Sequence, residues 1–160
     1  MPKDSRPTRE TILAAAAQTL QRDGIEGFTL DAVARRSGVV KGLLLYHFGS
    51  RARLLRAAAG RIADARAAGI KAALARGTGV GSLDACWDEL RRQTEDGTTR
   101  AWLGVCAAGL VDRANEAEGF EAAARSALLD GCAVALAGGV PLQDARDGYD
   151  ALWLALLEAV

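Results

Sequence analysis

Apolar residues along this chain recur at intervals of three and four and nowhere alternate with polar ones over a strand's length, so the pattern predicts helices throughout. Ile12, Leu13, Ala16, Ala17 and Leu20 mark a first helix, expected to be capped by Thr8, to carry Glu10 in its first turn and to end at Gly24. Ile25 and Phe28 are apolar pins in the connection that follows. Thr29 then caps a short helix that runs to about Arg36, Ser37-Gly38-Val39 breaks it, and a second short helix is predicted over about Val40 to Tyr46. Gly49 closes that helix, and Ser50 caps a long one with Leu54, Leu55, Ile62, Ile70 and Leu74 that reaches about Arg76, with Gly60 and Gly69 as candidate bends.

The run Gly77-Thr78-Gly79-Val80-Gly81 lacks the Gly-Lys-Ser/Thr of a phosphate loop and reads as a linker. Further helices are predicted near 82–96, 98–113, 117–137 and 141–160, with breaks at Asp96-Gly97, around Asn115 and at Gly138-Gly139, and with Pro141 in a first helical turn. The last two carry the clearest apolar stripes: Phe120, Ala124, Ala127, Leu128, Cys132, Ala135 and Leu136, then Leu142, Ala145, Tyr149, Leu152, Trp153, Leu156 and Val160. Stripes of that length exceed what a small monomer covers, so a two-fold dimer is expected to form through Leu128, Leu136, Leu152, Trp153 and Leu156. The final stripe runs to the last residue without a capping signal, the pattern expected of a chain that is short or trimmed there.

Half of the 160 residues are hydrophobic, enough for a sizeable core without disulfides. The formal charge of zero hides a division: residues 1–56 hold ten Lys and Arg against five Asp and Glu, whereas 57–160 hold ten against fifteen. A locally basic third is where a polyanion would be met, because neutralising phosphates releases condensed counterions. Cys86, Cys106 and Cys132 fit neither a disulfide framework nor the paired spacing of a zinc site, and no apolar run approaches the length of a membrane span, so a cytoplasmic protein with no metal and no cofactor is expected.

Two short helices joined by a glycine turn, inside the basic third, form a helix-turn-helix, the second helix of which enters the major groove of DNA. If Leu44 and Phe48 pack inward on Val33 and Ala34, then Lys41, Gly42, Leu43, Leu45, Tyr46 and His47 are left facing outward, toward DNA. The segment Thr29-Leu30-Asp31-Ala32-Val33-Ala34, then Gly38-Val39-Val40-Lys41-Gly42-Leu43-Leu44-Leu45-Tyr46-His47-Phe48, continuing through Gly49-Ser50-Arg51-Ala52-Arg53-Leu54-Leu55, resembles the TetR family of bacterial regulators over about residues 9–56. Two positions depart from the family pattern: Val40 stands where Ser is frequent, and Leu45 where many members carry a Tyr that touches phosphate. The resemblance implies that Lys41, Tyr46 and His47 bond phosphates or base edges, that Leu43 touches a thymine methyl and that Arg51 and the start of its helix bind phosphate, with the capping Thr29 at the edge of the surface.

His47 is the sole histidine and has only Ser50 near it as a nucleophile, so no catalytic constellation is legible and the chain is not expected to be an enzyme. Trp87, Trp102 and Cys106 are candidates to line a pocket for an apolar or cationic molecule, against the alternative of plain core packing. Arg100-Ala101-Trp102-Leu103-Gly104 and Gly148-Tyr149-Asp150-Ala151-Leu152-Trp153-Leu154 faintly resemble the C-terminal domain of the family's choline-responsive branch. The expectation is therefore a DNA-binding domain at 1–49 and a helical ligand-binding and dimerisation domain at 50–160, joined in a homodimeric repressor that meets a pseudo-palindromic duplex and releases it on binding a small-molecule effector. The rival is an all-helical ligand-binding or enzymatic protein that keeps the helix-turn-helix as scaffold.

Overall fold

A computed structural model describes residues 5–76, 78, 80–111 and 120–158, with the side chains of 5–7, 80, 120–127 and 156–158 outside the description. The described residues form helices and no strands: α1 (Ser5–Asp23), α2 (Leu30–Ser37), α3 (Lys41–Phe48), α4 (Arg51–Arg76), α5 (Val80–Glu95), α6 (Thr98–Ala107), α7 (Phe120–Ala137) and α8 (Leu142–Glu158). The chain is all-helical, an N-terminal helix-turn-helix followed by further helices. It packs as two compact units, one of Met1–Ala67 with Arg100–Asp112 and the other of Ala68–Thr99 with Arg113–Val160.

In the first unit Ile12, Ala16 and Leu20 repeat every fourth residue on α1 and are wholly buried against Phe28, Val33, Leu44 and Leu54. The helix starts at Ser5, so Thr8 lies within it instead of capping it, and Glu10 sits beyond the first turn, where it pairs with Arg61. Gly24 ends α1 as expected, adopting a left-handed φ of 67° while its N–H bonds the Leu20 carbonyl at 3.0 Å. Gly27 is required by closeness: a Cβ there would stand 2.6 Å from the Asp23 carbonyl oxygen.

The helix at 98 joins this unit because Trp102 and Val105 are buried in its core and because Arg100 donates to the carbonyls of Gln21 and Arg22 at 2.9 and 3.1 Å, closing the end of α1. Arg66 lies over the Trp102 ring, its guanidinium carbon 3.9 Å from the centroid. α6 stops at Ala107, well short of the expected 113. Gly109 is left-handed (φ 64°), its N–H bonds the Cys106 carbonyl, and the Leu110 N–H reaches back to Val105 at 2.9 Å, which completes a Schellman turn. The packing units divide at Ala67 and Thr99, and burial continues past the turn at Gly49 through Leu54, Ala58 and Ile62.

The second unit is built on Ile70, Trp87, Leu90, Leu129, Ala133, Ala145 and Tyr149. The Tyr149 ring packs 5.3 Å from that of Trp87 and its hydroxyl donates to the Leu83 carbonyl at 2.9 Å, so α5 and α8 are pinned by stacking and by a bond. Gly69, expected as a bend, serves a different purpose: a Cβ there would stand 2.1 Å from Glu89 Oε1. Glu89 is buried and holds Arg92 (2.6 Å) and Gln93 (2.7 Å). The Arg92 hydrogen bond keeps its carboxyl below the usual range in spite of desolvation. A second Schellman turn at Gly139, where Val140 N–H bonds the Ala135 carbonyl at 3.1 Å, ends α7 at the predicted break. Residues 112, 113, 115, 117, 159 and 160, the Gly77 and Gly79 of the linker, and the Phe120, Ala124, Ala127 and Leu156 side chains of the predicted stripes lie outside the described residues or side chains. No helix of the described residues is long and apolar enough to cross a membrane.

Candidate nucleic-acid interface

The helix-turn-helix is fixed by local chemistry. Thr29 Oγ1 accepts the Ala32 N–H at 3.1 Å and starts α2; Gly38, at φ 70° and ψ 16°, ends it while its N–H bonds the Ala34 carbonyl. Arg36 ties α2 to α1, donating to Thr19 Oγ1 at 2.8 Å and to Asp23 at 3.2 Å. After the turn, α3 buries Leu44 and Phe48, with the Arg9 guanidinium 4.8 Å from the Phe48 ring centroid. Gly49 ends α3 and Ser50 Oγ accepts the Arg53 N–H at 3.2 Å, so the next helix begins where the sequence placed it.

This frame sets the outer side of α3. Lys41, Gly42, Leu45 and Tyr46 are exposed, and His47 is half-buried with its ring edge-on to Tyr46 at 5.2 Å. Leu43 is half-buried and packs on the edge of the first core, while its position three and four residues before Tyr46 and His47 places it on their side of the helix. Lys41 Nζ pairs with Asp31 at 2.7 Å, both side chains largely in solvent. Such a pair is worth at most about 1 kcal/mol, so Lys41 is cheaply exchanged onto a phosphate. Arg51 is exposed, but its Nε donates to the Phe28 carbonyl at 2.8 Å, so part of its guanidinium braces the loop before α2. Arg35, Arg53 and Arg56 are also exposed, which makes the surroundings cationic.

Val40, expected as the first residue of the second short helix, is instead the residue before it, 75% exposed and without a side-chain capping bond to α3. Its signal was the apolar residue standing where a cap is usual. Thr29, by contrast, is committed to its cap.

The other candidates fall in different places. Trp87 belongs to the core of the second unit, whereas Trp102, buried, and Cys106, half-buried, belong to that of the first. Leu128, Leu136 and Trp153 are half-buried on the second core, and Leu152 is exposed. A groove of about 340 Å³ runs between α7 and α8, lined by Leu128, Cys132, Ala135, Val140, Tyr149 and Leu152 among others. Burial pushes the Cys132 thiol up, away from the reactive thiolate. Among the described residues no three His, Cys, Asp or Glu side chains converge into a set that could hold a metal ion.

A capped helix, a left-handed glycine turn and a second helix with an exposed outer side define a helix-turn-helix. Residues 12–58 match the family of bacterial regulatory proteins of the tetR type. Over 54 residues the chain is 33% identical to the uncharacterized HTH-type transcriptional regulator TtgW of Pseudomonas putida, a match that spans 34% of this chain and 40% of that protein. Among solved structures, SCO7518 from Streptomyces coelicolor A3(2) has a similar fold (TM-score 0.69, 22% identity, 90% of this chain and 95% of that one). So does the multidrug binding protein EbrR complexed with imidazole (TM-score 0.64, 22% identity, 94% and 90%). The family match is confined to the helix-turn-helix and the start of α4, and the neighbours share the helical fold of the chain; the match to TtgW spans less than half of that protein's length.

Proposed function

We propose that the chain is a ligand-responsive repressor that acts in the cytoplasm as a homodimer, with one α3 in each of two major grooves of a pseudo-palindromic operator. The observation that carries this reading is the exposed outer side of α3, set among Arg35, Lys41, Arg51, Arg53 and Arg56 on a rigidly capped frame. Lys41, Tyr46 and His47 bond phosphates or base edges, Leu43 touches a thymine methyl with the part of its side chain left exposed, Gly42 and Leu45 face the groove, Arg51 meets phosphate with whatever its guanidinium has to spare, and Thr29 stands at the edge of the surface.

Dimerisation runs through α7 and α8. Support comes from the apolar groove between them and from Leu142, Leu152 and Leu154, each exposed, beside the half-buried Leu128, Leu136 and Trp153; Leu156 belongs to the same stripe in sequence. The effector is a small apolar or cationic molecule taken up against aromatic surface, with Trp87, Trp102 and Cys106 as the residues to test. EbrR's description as multidrug binding supports that class. An effector that prefers the conformation fitting DNA poorly, by about 1–3 kcal/mol, lowers operator affinity roughly 5- to 150-fold.

Salt-dependent binding to random duplex DNA tests the reading. A repressor shows weak affinity that falls steeply as salt rises, and Lys41→Ala lowers the slope by about one. No binding at low salt, with helical content intact, would leave the helix-turn-helix as scaffold.

A further inference from the structure

Helix α3 is apolar on both sides. Leu44 and Phe48 are buried, as the frame requires, yet Leu45 is 40% and Tyr46 80% exposed, and Val40, immediately before the helix, is 75% exposed. Among the described residues these are the large hydrophobic side chains that the first unit leaves in water. Aliphatic surface is unfavourable in water in proportion to its area, and several such side chains gathered on one short element point to a partner.

Gly42 sharpens this. It precedes Leu45 and Tyr46 by three and four residues and so shares their side of the helix. A Cβ built on it meets nothing within 4 Å, and its φ is not positive, so nothing in the fold demands glycine there. Gly42 stands second in α3, in its first turn, and leaves that point of the surface without a side chain. A notch that the fold does not need is suited to close approach by something outside.

The cations choose what approaches. Arg35 on α2, Lys41 on α3 itself and Arg51, Arg53 and Arg56 at the start of α4 are exposed in the helices that flank it in sequence, and an excess of cations there draws a polyanion more readily than an apolar protein partner. In the major groove base edges offer donors and acceptors together with a single apolar group, the thymine 5-methyl. Val40 and Leu45 have no side-chain donor or acceptor, and therefore have only that group to read.

We propose that Val40 and Leu45, with the Gly42 notch between them in sequence, read thymine 5-methyl groups in the major groove, so that the preferred half-site is one that presents thymines to these two side chains. The inference rests on the regulator reading and adds the substrate class to it. Leu43, half-buried against the core, exposes less of its side chain than either.

The test begins by selecting duplexes from a random-sequence pool with the full chain at low salt. In the selected site each thymine of one half-site is then replaced by uracil, which removes the methyl and keeps every hydrogen-bonding group. Replacement at one or two positions should weaken binding roughly fourfold each, the worth of one buried methyl-sized group. Val40→Ser or Leu45→Ala should then bind the thymine and uracil duplexes equally at the corresponding position. If the parent binds both kinds equally at every position, the methyl reading is overturned while DNA binding stands. A thymine preference that survives in both variants overturns the assignment to these residues. Retention of no duplex at all overturns the regulator reading, and this one with it. The comparison within the parent decides even if a variant fails to fold.

Discussion

The described chain leaves large apolar side chains in water at two places, and the two differ in their surroundings. Val40, Leu45 and Tyr46 stand on and beside α3, among the exposed cations Arg35, Lys41, Arg51, Arg53 and Arg56. Val134, Val140, Leu142, Leu152 and Leu154 stand on α7, α8 and the turn joining them, where the exposed charges are Asp144 and Asp147 and where Arg146 is taken up by Asp84 and Asp150. Exposed hydrophobicity alone says that a partner is wanted; the charge around it says which kind. The cationic surface suits nucleic acid; the other, where the described exposed charges are acidic, is the one proposed to meet a second copy of the chain.

Glutamates placed on each surface should separate the two. Leu142→Glu with Leu152→Glu is expected to give monomers in sedimentation and, because one half-site alone is then engaged, to weaken operator binding more than a hundredfold, roughly half of a bivalent gain. Val40→Glu with Leu45→Glu is expected to weaken DNA binding while the sedimenting mass is unchanged. A dimer that survives the first pair would move the interface away from α8.

The two sides of α3 make the next comparison. Leu44→Ala should destabilise the first unit by about 2–5 kcal/mol in denaturant titrations, the cost of a cavity in a packed core, whereas Leu45→Ala should stay within about 0.5 kcal/mol. Similar costs for both would mean that the outer side is not free surface.

A smaller effect is expected at Gly69, where the second unit closes on itself. Gly69→Ala should cost about 1–3 kcal/mol in spite of its better helix propensity, because its Cβ would meet Glu89 Oε1, and Glu89→Ala in the same chain should recover part of the loss in a double-mutant cycle. Glu89 also sets a pH dependence. Its carboxyl is depressed in the folded state by the Arg92 hydrogen bond, so the stabilisation is present above the usual carboxylate range and is lost as pH falls through the folded value. Glu89→Gln should flatten the acid limb of an unfolding-against-pH curve; an unchanged limb would assign it to other carboxylates.

Thr29→Ala should cost about 1 kcal/mol in a denaturant titration, from the lost cap of α2.

What the sequence made legible follows from how local the cause is. Thr29, Gly38, Gly49 and Ser50 set the helix-turn-helix through contacts within four residues, and all four were readable. The end of α6 was not, because Gly109 follows Val105-Cys106-Ala107-Ala108, a run that looks helical until the left-handed turn is seen. Membership of α6 in the first unit depends on Arg100 reaching carbonyls 78 and 79 residues away, which no periodicity encodes. At the interface the exposure of Lys41, Leu45 and Tyr46 followed from the spacing of Leu44 and Phe48. The half-burial of Leu43 depends on how broad the surface beneath α3 is, and the Gly69 notch on where a distant carboxylate lies.

Footprinting of the parent protein on genomic fragments, at low and moderate salt with no effector added, tests the central claim most directly. The account predicts two protected, symmetry-related half-sites centred about one helical turn or a multiple of it apart, with protection fading as salt rises. Absence of any protected site at low salt, from protein shown to be folded and dimeric, would contradict it.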